Sequence, residues 1–547
     1  MQKYPGGKED ISKQEQMTPS KKTKKETKNT PRLTAKDLAK KQREISVSEF
    51  FTKNRHLLGF DNPRKALLTT IKEGIDNSLD ACEEAKLLPD IKVQISHIKK
   101  SEDRFIVTIE DNGPGILKTH IPKIFGKLLY GSKFHTLKMS RGQQGIGISA
   151  AGMYGQLTTG KPILITSKTS PKAPAHHYSL VIDTQKNEPR IIKDEIVDYE
   201  AKRGTKVVIE LEARYQKGRQ SVDGYIEQTS FANPHADITY INPEDKEIRY
   251  PRASKELPIE PKEIKPHPYG IELGILIKML HDTKSKNLRS CLTNDFSRVS
   301  TRVANDICEK AGLNGKARPS RIAVQEADAL FKAIKLTKIM NPPTDCISPI
   351  GENAIIKGLK KQINADFFTS NTRPPSVYRG NPFQIEVGLA YGGDLPEEGL
   401  IRLMRFANRV PLLYQQSACV VTESAINTSW RNYGLSQSSG ALPSGPILLM
   451  VHLASVWVPF TSESKEAIAH YPEIEKEIKL ALQECGRHVS TFIKRKKRAA
   501  EEFKKKSYIK KYIPHIGIAL KEILDLNDKQ EQKIINNLTD VLERSRS

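Results

Sequence analysis

Leu68, Ile71, Ile75, Leu79 and Cys82 recur at steps of three and four residues, the first sustained apolar stripe in the chain. That period puts them on one face of an α-helix. Glu73, Asn77 and Asp80 stand at i, i+4 and i+7 of the same helix, on a face roughly opposite the stripe. Around this helix the period shortens to two. Ile91/Val93/Ile95, Phe105/Val107/Ile109, Ile163/Ile165 and Val207/Ile209/Leu211 alternate with their neighbours, as strands covered on one face do. Ser46-Val-Ser-Glu49 ahead of Phe50-Phe51 has capping-box spacing, so order is predicted to begin there. A helix-and-sheet domain follows from this mixture.

Residues 241–266 turn rich in Pro, Lys and Glu, with Pro251, Pro258 and Pro261 followed by Pro266 and Pro268, a boundary signal. Residues 268–335 read as helices. Asn341-Pro-Pro343 then opens a second mixed segment to about residue 460, and 463–511 reads as one long basic helix or two. The expected organisation is a disordered basic arm (1–44), an α/β domain (45–245), a helical domain (246–340), a second α/β domain (341–511) and a helical appendage (512–547). In the arm, Lys21, Lys22, Lys24, Lys25 and Lys28 crowd among Thr, Gln and Pro, so burial cannot offset chain entropy.

Across 547 residues, 88 Lys and Arg face 64 Asp and Glu, a formal charge of +24. Such an excess points to an anionic partner, DNA above all, because clustered cations gain affinity by releasing condensed counterions. Solvated charged faces are the competing reading. Cys82, Cys291, Cys308, Cys346, Cys419 and Cys485 lie far apart, which argues against a disulfide framework and a thiolate zinc site. No run of 18 apolar residues is present, so no membrane-spanning helix is expected. Nor does the N-terminus carry the apolar core of a secretion signal, and a cytoplasmic location is expected.

Three segments of the first domain carry candidate chemistry. Glu73 and Asn77 are a carboxylate and a carboxamide one turn apart, able to serve as general base and as oxygen ligand for Mg²⁺. Chance polar pairs on a helix face compete with this. Glu110-Asp111-Asn112-Gly113-Pro-Gly115 closes a strand with an acid and glycines that allow close backbone approach, although Asp-Asn-Gly is also an ordinary turn. Arg141-Gly-Gln-Gln-Gly145-Ile-Gly147-Ile-Ser149 is a glycine-rich loop entering a helix, which offers backbone N–H groups to phosphates. Singly, it would also serve as a flexible loop.

Taken in order, E-x-x-x-N, D-x-G-x-G and G-x-x-G-x-G resemble the nucleotide box of the GHKL ATPases. That superfamily includes type II topoisomerases, the ninety-kilodalton heat-shock chaperone, histidine kinases and mismatch-repair ATPases. Arg203-Gly204-Thr205 resembles its final G-T box. Phe50-Phe51 with Leu57-Leu-Gly-Phe60, Phe125-Gly-Lys-Leu-Leu-Tyr-Gly-Ser-Lys133, Ser140-Arg-Gly-Gln-Gln-Gly-Ile-Gly147 and Val456-Trp-Val-Pro-Phe-Thr-Ser-Glu-Ser-Lys465 narrow it to the B-subunit family of DNA topoisomerase VI. This similarity runs from about residue 45 to 510.

The resemblance implies an α/β multidomain fold: a GHKL-type α/β sandwich ATPase domain, a small helix–two-turn–helix domain, and an α/β transducer domain with a long C-terminal helix. By position, Glu73 is implied as general base, Asn77 as Mg²⁺ ligand, and Asp111 as acceptor of the adenine amino group, with Thr205 beside it. Ser132 and Lys133 would meet ATP from the lid. Gly142, Gln143, Gln144, Gly145, Ile146, Gly147, Ile148 and Ser149 would wrap the phosphates, and Lys465 would reach the γ-phosphate from the second α/β domain. An exposed helix lysine is the plain reading of Lys465 without the resemblance.

For DNA, Arg298, Arg302, Arg318 and Arg321 fall in the segment resembling the helix–two-turn–helix module. Trp430-Arg431-Asn-Tyr433 resembles a W-K-x-Y DNA-touching element, with Trp430 expected to be exposed in a polar loop. Packing beneath the loop competes. None of the 17 tyrosines stands out as a nucleophile, and no D-x-D with a distant Glu suggests a cleavage metal site. The resemblance therefore implies a separate DNA-cleaving A subunit in an A2B2 assembly, self-dimerisation on ATP binding, and a nucleoid-associated place in an archaeal-type cell. A GHKL DNA-repair ATPase, or a non-catalytic DNA-binding scaffold with a vestigial nucleotide site, are the alternatives. The helical segment speaks against the first, and the intact Glu73 and Asn77 against the second.

Overall fold

The computed structural model describes residues 35–39, 42, 44–99, 101–131, 136–142, 146–462 and 464–544. The chain divides into two compact units, residues 1–45 and 46–547. In the first, the described helix is α1 (Ala35–Ala39). Most of the arm expected at 1–44 lies outside the described residues.

The second unit opens with α2 (Val47–Lys53), whose N-cap Ser46 Oγ accepts from Glu49 N at 3.1 Å. Next, α3 (Pro63–Glu84) starts on Asn62, which accepts from Lys65 N, with proline at the first helical position, where its missing N–H costs nothing. Eight strands follow: β1 (Asp90–His97), β2 (Arg104–Asp111), β3 (Ile163–Lys168), β4 (Ala175–Asp183), β5 (Glu188–Val197), β6 (Gly204–Glu212), β7 (Asp237–Ile241) and β8 (Glu247–Tyr250). Their order is β5-β4-β3-β6-β2-β1-β7-β8, antiparallel throughout except for the parallel pair β1–β7. The helices α3, α4 (Ile121–Gly126), α5 (Gly147–Thr159) and α6 (Val222–Ala232) complete a two-layer sandwich. Ile91, Val93 and Ile95 point into its core with Leu68, Ile71, Ile75 and Leu79.

Helix α3 departs from a simple amphipathic design. Thr70, Asp76, Ser78 and Asp80 are buried as well as its apolar stripe, because other elements cover the second face. Asp80, expected on an open polar face, is instead paired with Arg141 at 2.7 Å.

The four helices α7 (Leu273–Asp282), α8 (Leu288–Asp295), α9 (Thr301–Lys310) and α10 (Val324–Leu336) share their own core, built on Leu276, Leu292, Ile307 and Leu330. Then comes α11 (Glu352–Gln362) and a sheet of β9 (Phe367–Thr372), β10 (Ser376–Tyr378), β11 (Asn381–Tyr391), β12 (Arg402–Ala407), β13 (Val410–Pro411) and β16 (Ile447–Ser455). Within it, α12 (Val420–Ile426) and the small β14 (Ser436–Gln437) and β15 (Pro443–Ser444) pair are inserted. All nine residues of β16 are buried. Leu449, Val451 and Leu453 join one core while Leu448 and Met450 join another with Phe231 of α6, so covering both faces turns alternation into an unbroken apolar run.

The final long helix, α13 (Pro472–Leu524), passes through residue 511 without a break and carries Pro514 inside it. At 53 residues it spans about 80 Å. Its first turns bury Ile474, Ile478, Leu482 and Val489; farther on Phe503, Tyr508 and Tyr512 are exposed. Helix α14 (Asp528–Arg544) packs back on its end, where Gly517 meets Ile535. No described helix is long and apolar enough to cross a membrane.

Trp430 is not exposed. It is wholly buried against the α12–α13 core, and its indole N–H donates to Ala425 O at 2.7 Å. A large ring gains more from apolar contact than a polar loop can offer, so long as its N–H finds a partner. The exposed tryptophan is Trp457.

Candidate nucleotide-binding site

One cavity of about 620 Å³ opens between α3, the ends of β2 and β6, the start of α5 and the loop before Ile468. Glu73, Asn77, Asp111, Gly142, Ile146, Gly147, Ile148, Thr205 and Lys465 all line it. Ser149 sits behind the wall, its hydroxyl turned back to Ile146 O at 3.1 Å. Ser132, Lys133, Gln143, Gln144 and Gly145 lie outside the described residues.

Helix α3 presents Glu73 and Asn77 one turn apart on the cavity side. Opposite Glu73 stands the N-terminus of α5. A Cβ built on Gly147 would fall 1.7 Å from Glu73 Oε2, so only glycine lets this helix end approach the carboxylate so closely. Asn77 faces the entry of the glycine-rich loop, its Oδ1 3.8 Å from where a Gly142 Cβ would stand. Asp76, on the next turn of the helix side facing α6, turns inward to accept from Tyr225 Oη at 3.0 Å, and burial pushes its carboxyl up to about 7.

Asp111 ends β2 directly opposite Thr205 of β6. Its Oδ1 accepts from Gly113 N at 2.9 Å and Thr205 N at 3.2 Å, and its Oδ2 from Ser78 Oγ at 3.0 Å. The turn reading and the site reading of Asp-Asn-Gly therefore both apply. Burial still raises the carboxyl above its usual range, against the pull of those three donors. Gly204 precedes Thr205 at φ 132°, and a Cβ there would collide with Asp111 O. Asn112 is structural: its carboxamide holds Asp90 N and Leu88 O across the strand turn. The result is a fixed acceptor beside an apolar wall of Ile116, Ile124 and Phe125.

Lys465 arrives from the other α/β domain. Its N–H closes a turn on Ser462 O at 3.1 Å, and it adopts a left-handed φ of 54°. Glu466 beside it is buried and pairs with Lys65 of α3 at 3.1 Å. Lys65 also lies over the Tyr414 ring. This ion pair fixes the loop to the helix that carries Glu73. Lys65 and Glu466 are about 400 positions apart in sequence, and no spacing pattern joins them. Lys72 and His120, which no sequence motif singled out, also line the cavity, as does Tyr130 of the Phe125–Lys133 segment.

Arg141, at the root of the glycine-rich loop, does not face the cavity. It is buried and donates to Asp80, to both oxygens of Glu83 and to Asn233. Burial alone would raise the Glu83 carboxyl; Arg141 and His235 instead hold it far below the usual range.

The residues expected to meet DNA are scattered. Arg298, Arg302, Arg318 and Arg321 are all exposed on the helical domain, Arg298 at a left-handed φ of 58° between α8 and α9. Arg431 is exposed; Tyr433 is half-buried, edge-on to Trp430. A second cavity, of about 650 Å³, is lined by Arg64, Lys65, Lys217, Arg219, Arg402 and Arg405. Arg405 is buried, and one of its terminal nitrogens has no partner among the described residues.

Residues 62–215 match the family described as histidine kinase-, DNA gyrase B-, and HSP90-like ATPase. Residues 342–505 match the topoisomerase VI B subunit transducer. Over 492 residues the chain is 51% identical to the B subunit of type 2 DNA topoisomerase 6 from Methanococcoides burtonii, covering 90% of this chain and 79% of that one. It is 47% identical to the corresponding protein of Archaeoglobus fulgidus over 496 residues, 90% of this chain and 82% of that one. Natronomonas pharaonis has another relative, 34% identical over 695 aligned positions, with 92% and 86% covered. Residues of both matched modules line one cavity, and the chain belongs to the B-subunit family of type 2 DNA topoisomerase 6.

Proposed function

We propose that this chain is the ATP-hydrolysing subunit of a type II DNA topoisomerase, working with a separate DNA-cleaving subunit as an A2B2 assembly. The convergence of Glu73, Asn77, Asp111, Gly147, Thr205 and Lys465 on one cavity carries this reading. Glu73 takes the proton of the attacking water, at a carboxylate held against a helix N-terminus. Asp111 receives the adenine amino group, and the N-terminus of α5 receives phosphate through its free N–H groups. Lys465 supplies positive charge where the γ-phosphate leaves, and so reports hydrolysis to its own domain. Asn77 suits Mg²⁺, which takes hard oxygen donors from a few side chains plus phosphate and water, and bound there it would neutralise phosphate charge. ATP-driven pairing of two copies then closes on a DNA segment, and hydrolysis reopens them for double-strand passage. The test is relaxation of supercoiled DNA by this chain mixed with a cleaving subunit. Relaxation is expected only with hydrolysable ATP; equal relaxation without nucleotide overturns the reading.

DNA is proposed to run over the exposed arginines of the helical domain and the cationic cleft around Lys217 and Arg219. Replacing Arg298 and Arg302 together by alanine is expected to lower the slope of log affinity against log salt by about 2, one unit per lost phosphate contact. An unchanged slope makes that domain a spacer.

A further inference from the structure

Strands β12 and β13 are joined by a two-residue turn, Asn408-Arg409, between the paired Ala407 and Val410. Both turn residues are left-handed, at φ 48° and 68°. A turn of this kind matches the twist of a hairpin but favours Asn and Gly; an arginine there is strained unless its surroundings hold it. Here they do, since both side chains are buried. Asn408 Nδ2 donates to Ser140 O at 3.0 Å and Ser455 O at 2.9 Å, while its Oδ1 accepts from Ser455 N. Arg409 donates to Ser348 O, Ser348 Oγ and Pro349 O, and lies 4.0 Å from Glu83.

The partners of this tip belong to the root of the glycine-rich loop. Ser140 and Arg141 immediately precede Gly142, and Arg141 shares Glu83 with Arg409. Met139 N, one residue earlier, donates to Cys346 O, so the segment after the helical domain is stitched to the same root. Inward, the Arg409 N–H donates to His452 Nε2 at 2.9 Å. The imidazole proton therefore sits on Nδ1, which reaches Glu386 at 2.8 Å. Glu386 is wholly buried in the transducer sheet and holds the backbone N–H groups of Ile350 and Gly351 at 2.7 Å each.

We propose that the Asn408-Arg409 tip is the positioning device by which the transducer holds the root of the phosphate loop, Ser140–Gly142, and senses its movement through His452 and Glu386. It rests on the ATP-site reading above and adds to Lys465 a second mechanical link between the two domains. The tip does not touch the nucleotide. It keeps the loop root in place before ATP arrives, so its loss raises the cost of binding rather than of chemistry. It also cuts the transducer off from one report of the loop's state.

The experiment uses the full chain with its cleaving subunit and reads KM and kcat for ATP, strand passages per ATP hydrolysed, and thermal unfolding. Glycine is at ease in both turn positions, so Asn408→Gly with Arg409→Gly keeps the hairpin while deleting its side chains. Expected are a KM raised about tenfold with kcat within about twofold, and fewer passages per ATP. Asn408→Asp, of equal size but with no donor, moves the same quantities in the same direction. Arg409→Lys, whose three N–H donors can still meet Ser348 and Pro349, restores most of the loss. Wild-type KM and passage ratio in a folded double-glycine variant overturn the proposal, and so does a lysine variant no better than glycine. If the double variant does not fold, Asn408→Asp decides alone. Glu73→Gln is assayed alongside: undiminished hydrolysis there strikes the ATP-site reading, not the tip.

Discussion

Glu73→Gln is expected to lower ATP turnover by about 10²–10⁴-fold while nucleotide-driven dimerisation survives. The carboxamide has the same shape and fills the same gap against Gly147, where a carboxylate oxygen now occupies the space a Cβ would take. Packing around α3 thus hardly changes, and what disappears is the capacity to accept a proton. Asp76, three residues on, offers no substitute. Its side chain is buried against Tyr225 of α6 and does not line the cavity, and burial pushes it up to about 7, half-protonated near neutrality. Hydrolysis of radiolabelled ATP and cross-linking of the full chain with a non-hydrolysable analogue separate the two properties. Turnover at the wild-type rate would falsify the role of Glu73 as base, and loss of dimerisation together with turnover would mean that the substitution disturbed binding.

Four strands of the first sheet, the Ser46 cap and several residues that line the cavity were legible in the sequence because each is a local pattern. Ile91/Val93/Ile95 needs only period two, and Asn77 follows Glu73 by one turn. Asp111 could be placed because a strand ended there, though its partnership with Thr205 needs the β2–β6 register. What stayed hidden depends on distant neighbours. Asp80 looked like part of an open polar face until Arg141, 61 residues later, proved to cover it. Trp430 looked like a surface ring because its flanks are polar; the cover comes from α12 and from α13. The edge expected at residue 511 has no structural mark, since neither a charge run nor Pro514 interrupts α13. Neighbouring turns of a long helix can support a proline that would end a short one. No pattern along the chain announces the Asn408-Arg409 turn either, as its meaning lies in Ser140 and Glu83, far away in sequence.

Arg141→Met is expected to destabilise the chain by about 3–5 kcal/mol at neutral pH, the usual cost of removing one member of a buried ionic cluster. Methionine fills much of the volume, but Asp80 and Glu83 lose their shared guanidinium, and Asn233 Oδ1 loses its donor. The pH dependence distinguishes this from a simple packing defect. Burial by itself would raise the Glu83 carboxyl, yet in the wild type Arg141 first, then His235, hold it well below the ordinary carboxylate range. A depressed carboxylate contributes stability that is fully present above its unfolded pKa and is lost as pH falls through the folded one. In the variant Glu83 keeps His235 and Arg409 but loses Arg141, the largest of its opposing charges, so that contribution is reduced from the start. The gap between wild type and variant should therefore be widest at neutral pH and narrow as pH drops below the ordinary range of a glutamate. Denaturant unfolding of both proteins at pH 7 and at about pH 3 measures it. A gap that is small at neutrality, or that does not narrow in acid, would mean that Arg141 serves the fold by its volume and not by its charge. Should the gap behave as expected, the root of the phosphate loop is anchored electrostatically, in the same cluster that the Asn408-Arg409 tip approaches from the transducer side.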